Sequence, residues 1–302
     1  MTTLKGMISA FLSTRKLKNL SQRTIDFYTQ ILKKFLSFIE SNYPGISLER
    51  IDHNILREYI LSLKEKHSPS GINHHIKVIK ILFKFMVEEG VIAENPSKKI
   101  SKLKIEQNVI PAFTNDQIRA MLEVTKNQMD FPGLRNYTMI TLLYDTGCRI
   151  SELLNLTVKD IQLEEKVLTV KGKGRRERIV PFGDHSLLTL VKYLNKRNKL
   201  FGNDGLLFLT KAGKPLTPRM ANKIIERIGK KARVENVRLS AHTFRHTFAK
   251  NWLMNGGDIF SLQKILGHRT LDMVRNYVNI TFKDIQVQHS KFSPGDRLLK
   301  ES

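Results

Sequence analysis

The chain has 302 residues and a mass of 34.9 kDa, with 41% hydrophobic and 26% charged side chains, which is enough apolar residue for two buried cores and excludes a disordered polymer. No uncharged apolar run approaches the roughly 18–20 residues of a membrane span, no signal-peptide pattern opens the chain, and the single Cys148 excludes an intrachain disulfide and a cysteine-based zinc site, so the sequence predicts a soluble, cytoplasmic protein. The net charge is +23 with a pI near 10.1, and it is spread evenly: residues 1–106 hold 18 basic and 10 acidic side chains, the remainder 33 and 18.

That balance describes a basic body, not a neutral domain with a basic tail. It suits a protein that grips a polyanion with both halves, although a solvated lysine-rich surface produces the same number.

The first hundred residues read as a compact helical unit. Ser21 is placed as an N-cap, and Ile25, Tyr28, Leu32, Phe35 and Ile39 recur behind it at alternating three and four. A third helix is expected near residues 54–66, ended by Ser68-Pro69-Ser70-Gly71. A fourth carries Ile76, Ile79, Phe83 and Met86 on one face and stops around Gly90. Lys77, Lys80 and Lys84 fall between those apolar positions and give this helix a cationic side. Asn95-Pro96 and the lysine-rich stretch 97–106 read as a cationic linker.

Thr114 is expected to cap a new helix, and the apolar run from Tyr137 to Tyr144 leads into Asp145-Thr146-Gly147-Cys148-Arg149. Leu168-Thr169-Val170 and Arg178-Ile179-Val180 are strand-like, joined by the tight basic turn 171–176. From Asp184 the pattern is again helical, apart from a short hairpin over 207–216 that pivots on Gly213.

Taken singly, the candidate functional residues are weak. His242 and His246 stand four apart as zinc ligands often do, but Thr243, Phe244 and Arg245 lie between them, with no acidic base and a fixed cation where the metal would sit. Lys171-Gly172-Lys173-Gly174 lacks the spacing and the following helix of a phosphate loop and reads as a hairpin turn. Tyr277 alone would be a half-buried core aromatic.

Together, Arg149, Lys173, His242, Arg245, His268 and Tyr277 suit phosphoryl transfer. Guanidinium forks neutralise the non-bridging oxygens of a pentacoordinate phosphorane. A tyrosine forms a stable but reversible phosphodiester, and a lysine at a hairpin tip reaches a leaving oxygen as general acid.

The segments Thr146-Gly-Cys-Arg-Ile-Ser-Glu-Leu153, Gly172-Lys-Gly-Arg-Arg-Glu-Arg178, His242-Thr-Phe-Arg-His-Thr-Phe-Ala249, Leu266-Gly-His268 and Tyr277 resemble the tyrosine recombinase, or integrase, family, closest to its Xer branch. The resemblance covers essentially the whole chain, from the Phe11-Leu12 helix and Leu20-Ser21-x-x-Thr24 onward. Lys173 stands 24 residues beyond Arg149, and Tyr277 nine beyond His268.

It implies that Arg149 and Arg245 clamp the scissile phosphate and that His242 adds a hydrogen bond. Lys173 would protonate the departing 5′ oxygen, His268 would support the phosphate or the nucleophile, and Tyr277 would attack to give a 3′-phosphotyrosine. Glu152 matches a supporting acidic position, and His246 one beside the site that suits packing or capping.

The fold implied is mainly α, of the α+β class. A helical SAM-like core-binding bundle with a basic linker would occupy 1–106. A mixed, mainly α catalytic domain with a small antiparallel three-stranded sheet would occupy 107–302, its C-terminal tail exchanged between protomers. Double-stranded DNA is the implied partner, clamped by both domains. Four protomers, identical or shared with a paralogue, would act through a Holliday junction, with no cofactor, no metal and no ATP.

After Tyr277 the chain reads Val-Asn-Ile-Thr where Xer proteins usually have Thr-His, and Phe292-Ser-Pro-Gly-Asp-Arg-Leu298 looks more like the tails of integrases on mobile elements. The chain also begins at the core-binding domain, without the separate arm-binding domain of lambda-type integrases. Integration or excision of a mobile element is therefore the expected role. Housekeeping Xer-type resolution of chromosome or plasmid dimers, and a type IB topoisomerase, are the alternatives.

Overall fold

The computed structural model describes residues 3–105, 111–126, 130–172, 177–268, 270 and 282–293. The chain divides into two compact units, Met1–Asn108 and Val109–Ser302.

Among its described residues the first unit has four α-helices, α1 (Leu4–Leu17), α2 (Gln22–Asn42), α3 (His53–Ser62) and α4 (Pro69–Glu88). Thr3, Ser21, Asp52 and Ser68 cap them, each side chain accepting from a backbone N–H of its helix's first turn. Leu32, Phe35 and Ile39 of the α2 stripe are buried, as are Ile76, Ile79, Phe83 and Met86 of α4, whereas Lys77 and Lys84 stay in solvent. Phe35 meets the ring of Tyr59 edge-on at 5.0 Å, which ties α2 to α3 at the centre of this core.

Two local expectations are corrected. The third helix ends at Ser62, and Ser68-Pro69 starts α4, because proline suits the first turn where its missing N–H has no partner to lose. Part of the lysine-rich stretch is also built into the first unit. Ile100 is buried, and Asn73 exchanges two hydrogen bonds with the backbone of Leu103, at 2.8 and 3.0 Å.

The second unit opens with α5 (Asn115–Lys126), where Thr114 and Gln117 cap each other reciprocally. α6 (Phe131–Thr146) follows and packs against α5, α8 and α10, so it is buried on most sides and reads as a continuous apolar run, not a stripe.

The five-residue α7 (Ile150–Leu154) precedes an antiparallel sheet of order β1-β2-β3, made of Ile161–Gln162, Val167–Lys171 and Glu177–Pro181. In its main pair Leu168 faces Val180 and Val170 faces Arg178. The other α-helices among the described residues are α8 (Asp184–Phe201), α9 (Pro218–Lys231), α10 (Ala241–Met254), α11 (Ile259–Leu266) and α12 (Phe282–Phe292).

The expected hairpin over 207–216 forms as a short one: Thr210 N donates to the Lys214 carbonyl at 2.7 Å and Leu216 N to the Phe208 carbonyl at 3.2 Å on either side of the bridge Leu209↔Pro215, with the turn at Gly213, φ +72°. Within its own chain, α12 places Lys291 Nζ 3.3 Å from the Met254 carbonyl and the Phe292 ring beside Gly256. The architecture is mainly α with one small antiparallel sheet.

Candidate functional site

Four side chains singled out from the sequence come together where α7, α10 and the end of α11 meet. Arg149 stands at the N-cap of α7, just after Gly147 ends α6 in the left-handed region at φ +59°. Three residues on, Glu152 folds back: its Oε2 accepts the Arg149 amide at 2.9 Å and its Oε1 accepts Arg149 Nη1 at 2.8 Å. The Arg-x-x-Glu spacing is thus a helix start in which a carboxylate at the third position caps the backbone and aims the arginine.

Glu152 itself is buried, and a second fork reaches it from β3. Arg178 Nη1 and Nη2 donate to its two oxygens at 3.0 and 2.8 Å. Burial opposes ionisation of Glu152 most strongly, but the bonds from Arg178 and Arg149 outweigh it and hold the carboxyl down at about 2.

Arg245 projects from α10 and is buried. Its Nη1 donates to the Gly147 carbonyl at 2.8 Å and its Nη2 to the Leu266 carbonyl at 2.7 Å, so it bolts the α6 and α11 ends together. The same Nη2 lies 2.6 Å from His268 Nε2. Arginine has only donors, so Nε2 accepts and the ring proton sits on Nδ1.

Burial, followed by the Arg245, Arg149 and Arg178 charges, lowers His268 to about 4, which keeps it neutral at physiological pH. His268 follows Gly267, the left-handed residue that ends α11 at φ +65°. His242 is exposed one turn before Arg245, and desolvation together with Arg245, Arg238 and Arg149 lowers its pKa.

The result is a concentrated positive region in which the Arg149 side chain is 40% accessible and the His268 imidazole stays neutral among the cations. It suits a phosphate: charge and directed N–H groups are fixed before any ligand arrives. Lys173 and Tyr277 lie outside the described residues. The strands that flank Lys173 pair through Lys171↔Glu177. His246 is buried within α10, and among the described residues no three His, Cys, Asp or Glu side chains are grouped to hold a metal ion.

Arg178 enters the sequence reading as a strand residue and as the end of the Gly172–Arg178 motif, with no role of its own. The signal was an inverted alternation: Arg178 and Val180 share the inward face of β3, while Ile179 between them is 64% exposed.

Residues 111–284 match the phage integrase family, and residues 3–105 match the phage integrase SAM-like domain. Tyrosine recombinase XerC of Leptospira interrogans serogroup Icterohaemorrhagiae serovar copenhageni is 32% identical, over 93% of this chain and 90% of its own. Tyrosine recombinase XerD of Staphylococcus epidermidis is 34% identical, over 92% and 94%.

Among solved structures, the chain resembles XerH site-specific recombinase in a post-cleavage complex with palindromic difH substrate, with a TM-score of 0.76 and 26% identity over 93% of this chain and 82% of that one. It shares its fold with the Tn1549 transposon integrase, seen with a circular intermediate DNA, at a TM-score of 0.77 and 22% identity over 97% and 100%. The protein therefore belongs to the phage integrase family and is a tyrosine recombinase.

Proposed function

We propose that this recombinase cuts and rejoins duplex DNA at a specific site through a 3′-phosphotyrosine intermediate and a Holliday junction. The observation that carries the proposal is the preset pair of guanidiniums, Arg149 aimed by Glu152 and Arg245 bolted to two main-chain carbonyls, gathered around a neutral His268. In the proposed reaction the Tyr277 hydroxyl releases its proton to solvent and its oxygen bonds to phosphorus as the bond from phosphorus to the 5′ oxygen breaks. Arg149, Arg245 and His242 stabilise the charge on the non-bridging oxygens, and Lys173 gives its proton to the leaving 5′ oxygen. His268 supports this cluster through Arg245. Each broken phosphodiester is replaced by a phosphotyrosine of similar energy, so the exchange runs without ATP.

DNA is the proposed partner because both units are basic and because relatives of this fold are known in complexes with DNA. Residues 1–106 form the proposed core-binding domain and 107–302 the catalytic domain. Four protomers act together, with the tail beyond Thr281 passed to a neighbour.

Integration or excision of a mobile element is the favoured biological role, on the residues after Tyr277 and the tail. Direct repeats of the recognised site flanking the gene would support it, and a single chromosomal site would favour dimer resolution.

The test uses two labelled duplexes that carry a site selected by the protein from a random pool. Wild-type protein yields four-way junctions and recombinant products, and Tyr277→Phe binds the site but yields neither. Relaxation of supercoiled DNA without site preference or junctions would instead identify a topoisomerase.

A further inference from the structure

Arg178 is the one charged residue on the inward face of β3, and it spends all three kinds of guanidinium nitrogen on the site's framework. Nη1 and Nη2 fork onto the two oxygens of Glu152, and Nε donates to the Ile265 carbonyl at 2.7 Å, in the last turn of α11. Its side chain is 15% exposed and Glu152's is 4%, so this is an enclosed ion pair, not a surface one.

The guanidinium also fills the space beside Gly267. A Cβ there would stand 3.0 Å from Arg178 Nη1 and 3.1 Å from Cζ, so the turn that carries His268 closes directly over it. One planar group on β3 therefore touches both the carboxylate that aims Arg149 and the helix end that presents His268.

We infer that Arg178 is a positioning residue, which holds Arg149 in its phosphate-facing orientation by locking Glu152 against α11. This rests on the phosphate-clamp reading of Arg149 proposed above. Without the fork, both Glu152 oxygens are left to the amide and Nη1 of Arg149, and the carboxylate is free to swing with α7. The clamp then has to be ordered during the reaction instead of beforehand. A lysine cannot replace the fork, because a single ammonium cannot span two carboxylate oxygens and the Ile265 carbonyl.

Arg178→Lys is the informative variant, because it retains a cation beside the buried carboxylate. Arg178→Gln is the second, and melting curves for both report the fold. Single-turnover adduct formation on a nicked suicide duplex is measured with three scissile linkages: natural phosphate, a methylphosphonate, and a phosphorothiolate with sulfur at the bridging 5′ position.

The expected result is unchanged DNA affinity and cleavage of the natural linkage slowed about 10–100-fold, the range for residues that orient a charged group from behind. The methylphosphonate carries no charge on its non-bridging oxygen and asks less of Arg149, so the deficit narrows on it. The 5′-sulfur leaves unaided, and the deficit persists there because Lys173 is not what was lost.

An equal deficit on all three linkages would mean that Arg178 merely supports the fold, and relief by the 5′-sulfur alone would mean that it acts through Lys173. Either overturns the inference while the recombinase reading stands. Absence of any wild-type adduct overturns that reading and the inference with it.

Discussion

Gly147 does two things at once. Its left-handed backbone ends α6, and its carbonyl receives Arg245. A Cβ at this position would stand 2.9 Å from a Leu266 methyl and closer still to the Phe248 ring, so nothing larger than hydrogen fits. Gly147→Ala should therefore cost about 1–3 kcal/mol of stability, visible in thermal unfolding, and should weaken cleavage further by shifting the Arg245 acceptor.

Protonation supplies a second test at this scale. His268 in one unit and His75 in the other are both buried and both lowered to about 4, each chiefly by burial. The unfolded chain binds these protons near pH 6.5 and the folded chain only near 4. Stability is thus complete above about 6.5 and falls as pH drops through that window, by of order 2 kcal/mol for each histidine. Glu152 adds its loss only lower, between about 4.5 and 2. A urea-unfolding series from pH 7 to pH 4 checks this, and a flat profile would show that neither imidazole is held neutral.

Lys173 is tested on its own: if it is the general acid, Lys173→Ala slows cleavage about 10²–10⁴-fold, and a 5′-bridging sulfur restores most of the rate. Equal slowing on both substrates would remove that role.

At the scale of elements, the helices were legible because their caps and apolar spacing are local. Ser21 and Thr114 cap where the sequence places them, and the α2 and α4 stripes are buried. Pro69 was ambiguous, since proline both closes one helix and opens the next, and only the cap geometry of Ser68 decides which. The segment through Leu103 looked like a linker by composition. Its attachment depends on Asn73, thirty residues away, which no local pattern announces.

In the site, Arg149, His242, Arg245 and His268 were recoverable from motif order, and the structure brings them together. Arg178 ends one of those motifs, but its fork onto Glu152 was not recoverable, because it depends on which face of β3 is buried.

The tail falls at this scale too. α12 touches its own unit through Lys291 and Phe292, yet Val287 and Phe292 remain 40% and 46% exposed. An exchanged tail predicts that truncation after Thr281 preserves single-site binding but abolishes cooperative filling of a two-site DNA and junction formation. Cooperative binding and normal recombination by the truncated protein would place the tail permanently on its own chain.

Across the whole molecule, the basic excess is shared by both units. The excess is +8 over residues 1–106 and +15 over the rest, from 18 against 10 and 33 against 18 charged side chains, so neither unit is a neutral passenger. If both grip phosphates, a protein lacking residues 1–106 should bind its site more weakly and with a shallower dependence on salt, because fewer counterions are released. A titration from 50 to 300 mM salt measures the slope, and an unchanged slope would mean that the N-terminal charge is only solvated surface.

In the proposed reaction Tyr277, and no other side chain, carries the DNA. The adduct formed on a nicked suicide duplex can be digested with protease and the DNA-linked peptide sequenced by mass spectrometry. The expected product is a 3′-phosphate on Tyr277. A phosphate on Tyr144, Tyr193 or any other residue, or cleavage with no protein attached, would contradict it.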